Sequence, residues 1–249
     1  MAAAAVMEAE AARTFPYRME SKRLVMFYDE RIRSPQSDLE EMDRHVASLE
    51  TLTGKPLREK IHWVRGKILG RGRIAMRGLA LGSTESPEGK AGTHEFGPDF
   101  GPLYLDRHEL AHAVIHQLQP PDADAPTLLI EGWAESQSGM NPKRMGQVAI
   151  HSRELWRQRT GADSNRSRLR ELVSASSYYR IDGAIYNVGG AFATHLLRQF
   201  GIEKLLTLYF ACRPERFVEE CETILGVRFE DLETAFWADA ERMARGEIP

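Results

Sequence analysis

The spacing of apolar positions changes character about two-fifths of the way along the chain. Residues 22–28 (KRLVMFY) form a short β-rich run that stops at Asp29-Glu30, which predicts a strand. From Ser37 the apolar residues Leu39, Met42, Val46, Leu49 and Leu52 step by three and four up to Gly54, the pattern of one helical face. Two further strands are expected at 60–69 and 73–81, paired as a hairpin and punctuated by Gly66, Gly70 and Gly72. Residues 82–102 are dense in Gly and Pro and read as loop. Beyond residue 105 the three-to-four step takes over and predicts helices at 106–118, 126–140, 143–159, 185–200, 202–211, 214–224 and 229–245. Strands with one helix followed by a mostly helical half predict an α+β fold. The expected division is a frayed or disordered lead-in at 1–14, a strand-rich part at 15–105 and a helical part at 106–249, flanking a cleft within one compact domain.

Composition narrows the partners. The 249 residues are 42% hydrophobic and 28% charged, which excludes collagen-like and wholly disordered chains. A net charge of −3 offers no bulk attraction to a polyanion. Arg65, Lys67, Arg71, Arg73 and Arg77 on the expected hairpin, and Arg153 to Arg170 later, have few aromatics among them. They read as solvated faces, and no nucleic-acid partner is expected. No segment approaches the roughly 18 apolar residues of a membrane span. The Ala-rich start lacks basic residues and is interrupted by Glu8 and Glu10, so it fails as a secretion signal. No membrane association is expected, and a cytoplasmic location is favoured. Cys212 and Cys221 are too few for a disulfide framework or a thiolate cage.

The string that carries chemistry is His108-Glu109-Leu110-Ala111-His112. Residues four apart on a helix point the same way one turn apart, so both imidazoles reach one ion at about 2.1 Å. Glu109 sits beside them, able to reach a water on that ion without binding it. The helix is apolar nearly all round, and polar groups buried there need a partner that a divalent cation supplies. Eighteen residues separate His112 from Glu131, with a Pro-rich turn between. The first helix runs about 10 Å past His112 and the second about 8 Å up to Glu131, so an antiparallel return brings Glu131 beside His112. Two His and one Glu are the open ligand set of a catalytic zinc. Glu135, one turn on, is placed to accept a ring N–H from a ligating His.

HELAH, 18 residues, then Leu129-Ile130-Glu131-Gly132-Trp133-Ala134-Glu135 resembles the gluzincin metallopeptidases, the aminopeptidase N family and smaller bacterial peptidase domains of that pattern. The resemblance covers about residues 103–210. It implies a zincin-like fold, one zinc ion on His108, His112 and Glu131, Glu109 as general base, and a peptide or protein substrate. Tyr186-Asn187-Val188-Gly189-Gly190-Ala191-Phe192 is similar to the family's tyrosine run, which implies that Tyr186 donates to the oxyanion. Tyr178, Tyr179, His151 and His195 are the rival donors, and His116 continues the histidine stripe. The family's upstream G-x-M-E-N strand has only an echo in Gly92-Thr93-His94-Glu95-Phe96, where Glu95 reads as a loop carboxylate. Removal of end residues and internal cleavage therefore both stay open. So do a catalytically silent metal-containing interaction domain and a zinc hydrolase of a non-peptide substrate.

Overall fold

The computed structural model describes residues 11–13, 15–30, 32, 34–65, 79–80, 103–160, 169–173 and 184–248. The chain is α+β and divides into two compact units, residues 1–119 and 120–249.

The first unit carries β1 (Tyr17–Glu20), β2 (Leu24–Tyr28), α1 (Pro35–Thr53), β3 (Ile61–Arg65), β4 (Leu79–Ala80) and α2 (Tyr104–Leu118). The strands form one sheet in the order β1-β2-β3-β4. β1 runs antiparallel to β2, with Tyr17 opposite Tyr28, whereas β2 and β3 are parallel from Leu24↔Ile61 to Tyr28↔Arg65. A parallel pair needs a long crossover, and α1 supplies it. Leu24 to Phe27 of β2 are all buried, as expected for a strand covered on both faces. α1 buries Leu39, Met42, Val46 and Leu49 and ends at Gly54 in the left-handed region, φ 67°. Arg23 at the start of β2 pairs with Asp43 (2.9 Å) and Glu50 (2.5 Å) of α1, fixing the helix along the strand.

Two expectations are corrected here. β3 and β4 pair in parallel, so they are not a hairpin; residues 66–78 between them are long enough for a crossover and too long for a tight turn. β1 went unanticipated because an exposed edge strand needs no apolar alternation, and three of its four residues are exposed.

The elements described in the second unit are all helical: α3 (Thr127–Ser136), α4 (Pro142–Thr160), a 3-10 turn at Arg170–Leu172, α5 (Ala184–Ala211), a second 3-10 turn at Pro214–Arg216, α6 (Phe217–Leu225) and α7 (Phe229–Arg245). Gly201 breaks α5 with φ 78° and ψ 170°, where two helices were expected. α5 is the hub, packed against α3, α4, α6 and α7. Its Phe192 meets Phe236 of α7 edge-on, ring centres 5.3 Å apart. Cys212 and Cys221 are fully buried and free. No described helix is long and apolar enough to cross a membrane.

Candidate metal centre

α2 is held to its own unit by polar contacts at both ends. It begins at Tyr104 from Leu103 in the left-handed region, φ 57°, so Asp106 lies inside the first turn and forms no capping box with Glu109. Asp106 is 1% exposed and accepts a hydrogen bond from Trp63 Nε1 of β3 at 3.0 Å. Arg65, also 1% exposed, pairs with Asp106 at 3.3 Å and with Asp38 of α1. Arg65 is thus a buried structural cation, which corrects its reading as part of a solvated basic face. Burial raises the Asp106 carboxyl to about 6, against the pull of Arg65 and the Trp63 N–H. At the other end the buried Gln117 accepts from the backbone N–H groups of Arg58 (2.9 Å) and Glu59 (3.2 Å) and donates to the Glu59 carbonyl (3.1 Å). Arg107 pairs with Glu41, and its carbonyl meets His45 Nε2 at 3.2 Å.

On this fixed helix the Nε2 atoms of His108 and His112 lie 3.2 Å apart, with the rings nearly perpendicular at 78°. Two donors each about 2.1 Å from a shared ion and this far apart subtend roughly 100° at it, close to the tetrahedral angle. One ligand atom from each of His108, His112 and Glu131 lies within 4.8 Å of the other two. Two imidazoles and a carboxylate suit zinc better than magnesium or calcium, which prefer all-oxygen shells.

Glu131 sits on α3 where that helix meets α5 at backbone distance. A Cβ placed on Gly132 would lie 2.5 Å from the Gly189 carbonyl oxygen, and one on Gly189 would lie 2.9 Å from the Leu128 carbonyl. Gly189 and Gly190 thus make a close approach to the helix that carries the candidate ligand. Glu135 is buried, its stem lying where a Cβ on Gly190 would come within 2.6 Å of Cγ. Tyr186 is half-buried on α5, one turn before that crossing. Tyr209, later on α5, is a neighbour the sequence did not single out. It is buried, and burial first, then the charge of Glu131, raises its phenol above the ordinary value. Its distance from Glu131 in sequence left no spacing signal to find it.

Of the rival donors, His195 and His151 are described. His195 is buried and its Nδ1 meets Asp239 of α7 at 2.8 Å, with Gln199 donating to the same carboxylate at 3.2 Å, so it joins α5 to α7. His151 and His116 are exposed on α4 and α2. Tyr178, Tyr179 and Glu95 lie outside the described residues, as does most of the expected strand 73–81.

No family profile and no curated protein matches this chain. Among solved structures it is similar to a point mutant of an M1 zinc metallopeptidase from Deinococcus radiodurans, at 14% identity and a TM-score of 0.43. The same mutant bound to a Tyr-Ser-Ala substrate is similar at 14% identity and a TM-score of 0.44. Each alignment covers 88% of this chain and 50% of the other, so the chain spans about half the length of those structures.

Proposed function

We propose that this chain is a gluzincin-type zinc peptidase with a zincin-like fold, holding one ion on His108, His112 and Glu131. The convergence of those three ligand atoms within 4.8 Å is the observation that carries the reading. When bound, zinc supplies a Lewis acid that lowers a water's pKa to about 7 and polarises the scissile carbonyl. Glu109, half-buried on the ligand helix and about 100° round from His108, takes a proton from the attacking water and delivers it to the leaving amine. Tyr186 donates its O–H to the oxygen that gains charge in the transition state. Glu135 accepts a ring N–H from a ligating histidine and fixes its tautomer. The substrate is a peptide or protein, with no role for nucleic acid or membrane.

Metal analysis of purified wild type beside Glu109→Gln, with a peptide-cleavage assay on both, tests this. One equivalent of zinc is expected in each protein, and cleavage in the wild type alone. Zinc without cleavage in either would make the chain a metal-containing interaction domain. A wild type free of zinc, or an active Glu109→Gln, would overturn the reading.

A further inference from the structure

We infer that Asp106 and Gln117 are positioning residues, a two-point clamp that sets the rotation and axial register of α2 against β3 and so aims the imidazoles of His108 and His112. The inference rests on the metal reading above, and its contacts lie wholly within the first unit.

A helix turns about 100° per residue, so eleven residues bring Gln117 to within about 20° of Asp106, three turns and about 16 Å along the axis. The two share one stripe, with Leu110 and Ala113 between them, and that stripe faces the sheet. On the same count His108 and His112 lie about 200° and 240° round from Asp106, on the opposite side of the helix. The partners come in the reverse chain order. Asp106 meets Trp63 and Arg65 inside β3, whereas Gln117 meets residues 58 and 59 just before that strand begins. Asp106 thus meets the later residues of this stretch and Gln117 the earlier ones. The helix therefore runs antiparallel to the strand and is fastened at both ends of the overlap.

Leu110, Ala113 and Val114 bury apolar surface without preferring one rotation of the helix, because apolar contact is non-directional. The clamp contacts are directional, and each is costly to break. Asp106 neutralises a buried guanidinium, and Gln117 satisfies two backbone N–H groups and one carbonyl. A roll of about 20° displaces an atom about 6 Å from the axis by about 2 Å. Metal–ligand distances tolerate only about 0.2 Å. Loss of rotational control is thus felt first at the imidazoles.

The test compares wild type with Gln117→Met, Gln117→Glu, Asp106→Asn and Leu49→Ala in the full chain. Folding is followed by circular dichroism, zinc affinity by chelator competition, and ligand geometry by the visible spectrum of the cobalt(II)-substituted protein. Gln117→Met and Asp106→Asn are expected to weaken zinc binding by about tenfold, the low end of what loss of a direct partner of a metal ligand costs because neither touches a ligand itself, and to shift the cobalt bands. Gln117→Glu keeps an acceptor for the two N–H groups and should recover part of the loss. Leu49→Ala, a buried truncation on α1, should lower thermal stability while leaving affinity and spectrum unchanged. Folded clamp variants with wild-type affinity and cobalt spectrum would overturn the clamp alone, as would an equal spectral shift in Leu49→Ala. A wild type that binds neither ion would overturn the metal reading and the clamp with it. Should Asp106→Asn fail to fold, Gln117→Met decides.

Discussion

Gly132→Ala puts the contact between α3 and α5 to a quantitative test. The new Cβ would lie 2.5 Å from the Gly189 carbonyl oxygen, 2.8 Å from its carbon and 3.1 Å from its Cα. Ordinary contact begins near 3.4 Å, so the helices must part by up to 0.9 Å, and the opposing atoms are backbone with no rotamer to escape into. Overpacking of this kind costs about 1–3 kcal/mol, and the backbone clash places this site at the upper end. Replacing a helical Gly by Ala returns about 1 kcal/mol through helix propensity. A net loss of about 2 kcal/mol is expected, lowering the melting temperature by about 4–8 °C for a chain of this size. Gly190→Ala makes the comparison, because its Cβ would meet side-chain atoms, Glu135 Cγ at 2.6 Å and Cβ at 3.0 Å, with the nearest backbone atom 3.7 Å away. Thermal and urea unfolding of both variants should rank Gly132→Ala as the more damaging. Because Glu131 is the next residue, zinc affinity should fall in Gly132→Ala as well. A Gly132→Ala protein as stable as wild type would refute the close-approach argument.

Tyr186→Phe should lower kcat by about 10²–10³ with little change in KM, the loss typical of one oxyanion donor; steady-state kinetics on a peptide with unchanged kcat would reassign the donor. Burial lowers the His45 pKa from 6.5 to about 4, aided by the nearby Arg107. Above pH 6.5 the ring is neutral in both states. As the pH falls from 6.5 to about 4 the unfolded chain takes up a proton that the folded one refuses, so stability drops across that window, by about 3 kcal/mol at the most. Urea midpoints from pH 7 to 4.5 should therefore fall less steeply in His45→Gln, and parallel profiles would sink the assignment. Zinc at about a hundred times its dissociation constant should add about 2.7 kcal/mol of stability, read as a melting shift that chelator reverses.

The elements that the sequence revealed best are those whose apolar faces repeat. α1 and α7 fall within two residues of their predicted bounds because each presents one unbroken stripe and stops at a glycine in the left-handed region, Gly54 and Gly246. The His108, His112 and Glu131 triad was legible because helical geometry converts spacing directly into direction. The parallel pairing of β3 with β4 was not, since strand partners depend on chain path and a local pattern carries no record of it. Nor was the Asp106 contact with Trp63 and Arg65. Arg65 read as surface charge, because burial of a charged group depends on a counterion supplied from elsewhere in the chain. His195 misled in the same way until Asp239 appeared opposite it.

The two cysteines give the molecule a quiet chemical background. Burial pushes the Cys212 thiol up to about 12 and raises Cys221 as well, and both side chains are sealed from solvent. A cysteine introduced on an exposed turn, with a pKa of about 8.5, would hold more than a thousandfold more thiolate at neutral pH than Cys212. Maleimide dyes or nitroxide labels would then attach at the chosen position without first removing the native thiols.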